Sequence, residues 1–308
     1  MAKRRLGRSS LEIDPLVFGT NVIGGTIDEP QSFAVLDAFV AEGFTAIDTA
    51  DIYTGGNSET IIGNWVKARG NRGKVLIFTK VGANNGTGER DNSRKWIMEG
   101  VENSLRRLKT DYIDLYQTHW LDGKTPQEET LRAYGDLVKA GKVRVIGASN
   151  FDTRLLAEAL AISDREGVPR YETLQNEYNL YAREQFEEVQ DLCVKEQVSG
   201  IHYFSLARGF VSGKYRTAED ASKSPRGKAV VDRYLNEKGF RILAALDRVH
   251  EATGASRTAI ALAWLNAQPG TGAPIASATT TTQVHELAEG ARLTLSAEQI
   301  KDLTDAGL

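Results

Sequence analysis

The chain has 308 residues, of which 41% are hydrophobic and 26% charged, so it can bury a large core and is not a disordered protein. Its formal charge of -3, with acidic and basic residues interleaved, argues against a nucleic-acid or membrane-surface partner. Cys193 is the only cysteine, which excludes an intramolecular disulfide and a cysteine-based metal site and fits a reducing, cytoplasmic setting. No signal-peptide pattern and no apolar run of membrane-spanning length occurs, so export and anchoring are not expected.

Short apolar segments typical of strands alternate with segments of helical periodicity along the whole chain. Polar or ionisable residues follow many of the strands, and glycines such as Gly43 and Gly141 end helices. The predicted strands are 16–20, 44–48, 75–79, 112–118, 143–148, 172–175, 200–204 and 273–277. The predicted helices are 31–42, 58–68 with Ser58 as its N-cap, 93–108, 125–140, 153–163, 183–195, 240–253, 256–266, one from about 281, and 296–305.

Strands that alternate with helices in this way require right-handed crossovers and a parallel sheet. Eight such units favour an α/β fold of the (β/α)8 TIM-barrel type over an open doubly wound sheet. The segment 207–238 breaks the rhythm and is predicted as an inserted loop after the seventh strand, with extra helices towards the C-terminus. Because no linker is evident, the whole chain, residues 1–308, is predicted to be one domain.

Four ionisable side chains fall at neighbouring strand ends of this predicted barrel. Asp48, Lys80 and His119 end three successive strands, and Tyr53 lies in the loop after the first of them. Active sites of parallel barrels lie at the carboxyl ends of the strands, so these groups should meet at one mouth. Each has a simpler explanation in isolation: a helix-capping Asp48, a packed Tyr53, a solvated Lys80 or a structural His119. The joint pattern favours a site.

These four groups suit general acid catalysis. A tyrosine hydroxyl has a pKa near 10, which a neighbouring Lys80 ammonium would lower, while Asp48 would hold that ammonium in place. His119 can donate a hydrogen bond to a carbonyl oxygen, and the set contains no nucleophile–base pair of the serine or cysteine type.

The segment Asp48-Thr-Ala-Asp-Ile-Tyr53, together with Lys80 and His119, resembles the catalytic tetrad of the aldo-keto reductase superfamily, including the branch related to potassium-channel β-subunits. The resemblance implies an eight-stranded α/β barrel and reduction of an aldehyde or ketone by hydride from a nicotinamide cofactor. It assigns Tyr53 as the acid, Lys80 and Asp48 as its tuning residues, and His119 as the residue that orients the substrate. Trp120, with Tyr53 and His119, would form the base of the substrate pocket, and no metal is implied.

The same resemblance implies a cofactor site. Ser149, Asn150 and Gln175 would bind the nicotinamide carboxamide, which needs donor and acceptor partners, and Tyr203 would stack on its ring. Ser205 and Leu206 begin the segment that would wrap the pyrophosphate. The remaining implied cofactor residues are Gly19, Thr20, Asn21, Asp48, Ser277, Thr279, Gln283 and Glu286.

One departure from the family pattern concerns the choice of cofactor. Family members that bind NADP(H) often carry cations after the eighth strand, and Ser277 and Gln283 replace them here. NADP(H) remains the expectation from the resemblance, and NAD(H) is possible because the expected cations are absent. Hydroxyls and the helix N-terminus near Thr281 are an alternative phosphate site.

Three alternatives to a reductase remain open. One is a Schiff-base aldolase with Lys80 as nucleophile, and another is a cofactor-binding regulatory subunit with little turnover. A metal hydrolase built on Asp48, Asp51 and His119 is weaker because Lys80 would repel the cation. The expected partner is a small carbonyl or sugar-like molecule, because the helix at 296–305 is followed by only three residues and leaves the predicted mouth open and polar.

Overall fold

The computed structural model describes residues 2–84, 86–224 and 226–308. Asn85 and Pro225, which fall in two loops expected at the barrel mouth, and Met1 lie outside the described residues. In the described part of the chain, no helix is both long and apolar enough to cross a membrane.

Eight parallel strands close into a barrel, which confirms the predicted fold class. A short antiparallel hairpin, β1 (Arg4–Arg5) and β2 (Glu12–Ile13), precedes the barrel. The barrel strands are β3 (Val17–Gly19), β4 (Ala46–Asp48), β5 (Leu76–Val81), β6 (Ile113–Thr118), β7 (Val143–Ser149), β8 (Tyr171–Gln175), β9 (Ser199–His202) and β10 (Thr271–Ala276). They pair in chain order, and β10 pairs with β3 to close the ring.

Helices connect the strands and cover the outside of the barrel. The ten predicted helices are present, and each begins within three residues of its predicted start. In many of them a Ser, Thr, Asp or Asn side chain caps the first turn, as Asp28 does by accepting from the Gln31 backbone amide. The helices are α1 (Glu29–Ala41), α2 (Asn57–Arg69), α3 (Arg94–Leu108), α4 (Gln127–Lys139), α5 (Thr153–Glu166), α6 (Glu184–Glu196), α7 (Gly227–Tyr234), α8 (Glu237–Thr253), α9 (Arg257–Asn266), α10 (Thr281–Arg292) and α11 (Ala297–Ala306).

The start of α2 differs from its prediction. Its N-cap is Gly56 in the left-handed region (φ 88°), and Ser58 lies inside the helix with its side chain buried. The Ser58 hydroxyl hydrogen-bonds to Thr20 Oγ1 at 2.9 Å, so it ties α2 to the end of β3 instead of capping the helix.

Two apolar layers hold the barrel. The larger one fills the space between strands and helices, and the smaller one fills the barrel interior with side chains from alternate strands. Leu6, Leu11 and Ile13 of the N-terminal hairpin join the interior layer. Arg4 donates to the Thr271 and Gly272 carbonyls at the start of β10, so the hairpin closes the end of the barrel opposite the strand carboxyl ends. The mouth is left at the other end.

The excursion after the seventh barrel strand is more ordered than the predicted surface loop. It contains two short 3-10 helices, Ala207–Ser212 and Ala218–Lys223, followed by α7. Phe210 and Tyr234 are fully buried and their rings stack with centroids 5.1 Å apart. Because this segment contributes its own aromatic core, it forms a folded wall beside the mouth.

Candidate functional site

Adjacent strands bring Asp48, Lys80 and His119 together at the mouth. Asp48 is the last residue of β4, Lys80 lies near the end of β5, and His119 directly follows β6. The strands are in parallel register, with Asp48 opposite Phe78 and Lys80 opposite Gln117. Tyr53 begins a 3-10 turn whose Thr54 and Gly55 have positive φ, which bends the chain back over the barrel.

A buried ammonium joins three of the four groups. Lys80 Nζ donates to Asp48 Oδ2 at 2.6 Å, to the Thr49 carbonyl at 2.7 Å and to the Tyr53 hydroxyl at 3.4 Å. Lys80 is 0% and Asp48 2% exposed. Burial alone would lower the pKa of Lys80, but the Asp48 charge and the Tyr53 hydroxyl outweigh it and raise that pKa. Lys80 is therefore protonated and fixed in position by these contacts.

The net shift of the Tyr53 pKa is opposite to the one expected from its neighbour. Burial raises the pKa of Tyr53, and the Lys80 charge opposes that rise without cancelling it. The direction of the Lys80 contribution matches the prediction, but desolvation is the larger effect. Tyr53 thus keeps its proton at neutral pH, as a general acid must.

His119 is buried, lies against Tyr53 and is neutral. The two ring centroids are 6.2 Å apart in an edge-on arrangement, and His119 Nδ1 has no hydrogen-bond partner in the described part of the protein. Burial, with the charges of Lys80 and Arg90, lowers the pKa of His119 to about 2. A neutral imidazole keeps one N–H donor, so His119 can donate to a carbonyl oxygen without carrying a charge.

Two glutamines hold the second oxygen of Asp48. Gln117 Nε2 donates to Asp48 Oδ1 at 3.2 Å and Gln175 Nε2 donates to the same atom at 3.0 Å. Gln175 was predicted as a cofactor residue, whereas Gln117 was missed. Strand alternation could have indicated it, because Gln117 lies two residues before His119 on a buried strand and so shares its inward face.

The residues predicted to bind an amide lie together beside this cluster. Ser149 Oγ donates to the Gln175 carbonyl at 2.8 Å, and Asn150 Nδ2 donates to the His119 carbonyl at 3.0 Å. Tyr203 donates through its hydroxyl to Asn150 Oδ1 at 2.8 Å. Gln185 on α6, a second residue missed from the sequence, also contacts both Tyr203 and Asn150.

The segment predicted to wrap a pyrophosphate has an unusual backbone. Phe204, Ala207 and Arg208 have φ of 51°, 46° and 57°, and Gly209 has φ of 91°. These conformations form tight turns, in which the Ala207 backbone amide donates to the Phe204 carbonyl at 2.7 Å and the Gly209 amide to the Leu206 carbonyl at 2.8 Å. Ser205, at the start of this segment, donates to the His202 carbonyl at 2.8 Å, and the neighbouring Leu206 is only partly buried.

The first and last barrel strands bring the other predicted cofactor residues together. Gly19 ends β3, where an added Cβ would lie 2.9 Å from Ser277 Oγ, so the close strand contact requires glycine. Thr20 Oγ1 donates to the Asp48 carbonyl at 2.9 Å, and Ser277 donates to Asn21 Oδ1 at 2.9 Å. These contacts join the two loops into one wall of the mouth.

The start of α10 lies next to that wall. Thr280 caps the helix by accepting from the Gln283 amide at 3.3 Å. Gln283 Oε1 accepts from the Thr279 amide at 2.8 Å, so its side chain is used in capping, and Glu286 lies on the next turn, partly exposed. Neither Ser277 nor Gln283 supplies a cation.

Asp51 is a partly buried residue whose carboxyl the tetrad does not use. Its Oδ1 has no hydrogen-bond partner in the described residues, and its backbone amide donates to the Lys80 carbonyl at 3.3 Å. Burial and the charge of Glu59 raise the pKa of Asp51 to about 7, against smaller opposing effects of Arg107 and Lys80. Glu59 itself is satisfied by Thr79 at 2.6 Å and Arg107 at 2.7 Å.

Asp51 should make stability depend on pH. The pKa of Asp51 is about 7 in the folded protein and 3.8 when unperturbed. Its contribution to the free energy of unfolding is therefore fully present below pH 3.8 and is lost as the pH rises through about 7. We expect Asp51→Asn to reduce the fall in unfolding free energy over this range, measured by urea denaturation at a series of pH values. The exposed Asp164→Asn variant is the control. An unchanged pH dependence in Asp51→Asn would contradict the assignment.

Comparisons with known proteins agree with this architecture. The model of the Aldo/keto reductase family matches residues 15–307. The chain is 34% identical over 305 residues to Aldo-keto reductase YhdN of Bacillus subtilis, covering 96% of this chain and 90% of that protein. It is 30% identical to a probable voltage-gated potassium channel subunit beta of Arabidopsis thaliana, covering 93% and 90%. The crystal structure of the thermostable aldo-keto reductase Tm1743 with the inhibitor epalrestat superposes with a TM-score of 0.82 at 30% identity, covering both chains completely. This chain belongs to the aldo/keto reductase family of oxidoreductases.

Proposed function

We propose that the protein is an NAD(P)(H)-dependent reductase of small aldehydes or ketones, with Tyr53 as the general acid. The observation that carries the proposal is the buried Lys80 ammonium, which contacts both Asp48 Oδ2 at 2.6 Å and the Tyr53 hydroxyl at 3.4 Å. A phenol with a cation beside its oxygen is arranged to give up a proton and to stabilise the phenolate that remains. Gln117 and Gln175 keep Asp48 aligned with that cation.

The roles of the other groups follow from this arrangement. A nicotinamide held beside the tetrad would supply hydride for the carbonyl carbon. Tyr53 donates the proton to the carbonyl oxygen. Neutral His119 donates a hydrogen bond to the same oxygen and holds it near the phenol, since the two rings are 6.2 Å apart. Trp120 stacks on His119 with centroids 4.0 Å apart, so it restricts the imidazole and lines the substrate side of the site.

The residues around the tetrad fit a nicotinamide cofactor. Ser149, Asn150 and Gln175 offer the hydroxyl and amide groups that a carboxamide requires. The N-terminus of α10 offers N–H groups to phosphates. We infer that the cofactor site is completed by residues at or after the carboxyl ends of the first, seventh and eighth barrel strands and by residues of α10. They are Gly19, Thr20, Asn21, Tyr203, Ser205, Leu206, Ser277, Thr279, Gln283 and Glu286.

The contacts of Lys80 disfavour the aldolase alternative. A Schiff base requires a neutral amine, but the Asp48 carboxylate and the Tyr53 hydroxyl raise the pKa of Lys80. The same Asp48–Lys80 pair disfavours a metal site on Asp48, since that carboxylate is already neutralised. The similarity to a potassium-channel β-subunit keeps a slow regulatory subunit as the second candidate.

A direct assay separates these candidates. We expect consumption of NADPH or NADH, followed at the nicotinamide absorbance, when activated aromatic or sugar-like aldehydes are added. Cofactor binding without turnover on any of a broad panel of carbonyls would favour the regulatory subunit. Borohydride trapping of a substrate on Lys80 would favour the aldolase and would sink the proposal.

Cofactor discrimination should be weak. Two charge-assisted hydrogen bonds, each worth about 1.5–3 kcal/mol, are missing at Ser277 and Gln283, so the Kd values for NADP and NAD should differ by less than about a hundredfold. Isothermal titration of both dinucleotides measures this difference. The double variant Ser277→Lys, Gln283→Arg should tighten NADP and leave NAD, which lacks the phosphate, unchanged. A much larger preference for NADP in the parent would mean that other residues recognise the phosphate.

A further inference from the structure

Arg90 is a cation at the mouth that the proposed reaction does not use. It lies in the loop between β5 and α3, is exposed, and its guanidinium carbon is 5.3 Å from the centroid of the Trp120 ring. Its Nη1 also donates a long hydrogen bond to the Leu121 carbonyl at 3.4 Å. These contacts hold the guanidinium beside Trp120, which itself stacks on His119.

The carboxylates near Arg90 are engaged elsewhere. Glu89 pairs with Lys124 at 3.3 Å, and Asp91 Oδ1 accepts from the Ser93 amide at 2.9 Å. Asp122 accepts from the backbone amides of Asn92 at 2.9 Å and Thr125 at 2.8 Å. In the described part of the chain no ion pair joins Arg90 to a carboxylate. Its N–H fork therefore keeps donors available for an anion.

The charge of Arg90 reaches the reacting end of the site. It is one of the three causes, after burial and Lys80, that lower the pKa of His119. A substrate whose carbonyl contacts His119 and Tyr53 would extend along Trp120 towards Arg90. A guanidinium binds a carboxylate through two parallel hydrogen bonds, and the adjacent indole suits an aromatic or other planar body.

We propose that Arg90 is a specificity residue that selects aldehydes carrying a carboxylate at the end distant from the carbonyl. The proposal rests on the reductase function proposed above and adds the chemical class of its substrate. A carboxylate suits the site better than a phosphate dianion, because Arg90 lies between Glu89 and Asp91 in the sequence and Asp122 follows Leu121, whose carbonyl Arg90 contacts.

The test compares 4-carboxybenzaldehyde with its neutral isostere 4-formylbenzamide. We expect the parent enzyme to have a higher kcat/KM for the carboxylate than for the amide, because its KM for the carboxylate is lower. In Arg90→Gln the ratio of the two kcat/KM values should fall about tenfold, as loss of a charge-assisted hydrogen bond predicts. High salt should lower the parent's ratio and leave the variant's unchanged, because the contact is exposed. Arg90→Lys should keep part of the preference.

Lys124→Gln is the matched control, since Lys124 is an exposed cation of the same region that is already paired with Glu89. Its ratio should equal that of the parent. A ratio that does not change in Arg90→Gln, while both aldehydes are reduced, would overturn the Arg90 inference alone.

Binding without turnover is measured separately by calorimetry with benzoate and benzamide. Benzoate should bind the parent more tightly than benzamide, and Arg90→Gln should remove the difference. If the parent reduces neither aldehyde, the proposed reductase function is overturned. The difference in affinity between benzoate and benzamide then still decides whether Arg90 binds carboxylates. Equal binding of benzoate and benzamide by the parent would overturn the anion site itself.

Discussion

Tyr53→Phe is expected to lower kcat for carbonyl reduction by about a hundredfold or more, since that is the usual contribution of general acid catalysis. The variant removes only the hydroxyl, which Lys80 contacts at 3.4 Å, and leaves the ring against His119. Cofactor affinity should be nearly unchanged, because the residues proposed to hold the cofactor do not depend on that hydroxyl. Stopped-flow measurement of the hydride-transfer step and titration of the cofactor check both statements.

Tyr112→Phe is the matched control for that experiment. Tyr112 directly precedes β6, at the barrel end opposite the mouth, and its ring contacts Arg72. Loss of its hydroxyl should leave turnover close to that of the parent. Parent-like turnover in Tyr53→Phe would show that another group protonates the substrate.

Lys80→Met should damage turnover about as severely as loss of the Tyr53 hydroxyl. Burial raises the pKa of Tyr53 and Lys80 opposes that rise, so without the ammonium the phenol becomes a weaker acid still. The acid must be protonated for reduction, so any alkaline limb of the pH–rate profile should move to higher pH. A profile and rate equal to those of the parent would make Lys80 a structural residue.

Stability must be separated from catalysis in that variant. Removal of Lys80 leaves the Asp48 carboxylate buried without its cation, and breaking a buried pair costs about 3–5 kcal/mol. The double variant Asp48→Asn, Lys80→Met removes both charges and should recover much of that loss in thermal unfolding. It should not recover turnover, because the cation beside Tyr53 is still absent. Recovery of turnover in the double variant would contradict a tuning role for Lys80.

The sequence by itself determined the architecture and most of the candidate site. Every predicted barrel strand is present, because short apolar runs ending in polar residues mark buried parallel strands without reference to their neighbours. The same local pattern identified Asp48, Lys80 and His119, since a strand end is visible in the chain and its position in a barrel is general. Elements without such a pattern were missed: the hairpin strands have two residues each, and α7 has eight.

Only the tertiary structure decided the environment of these side chains. Gln175 lies 127 residues from Asp48 and yet holds its Oδ1, and Gln185 reaches Asn150 from a different helix. The net rise in the Tyr53 pKa depends on how completely the surrounding elements exclude water, which no nearby residue type reveals. The contact of Arg90 with Trp120 likewise joins loops after two different strands. Local periodicity encodes where a strand ends, whereas hydrogen bonding and desolvation depend on which distant elements pack there.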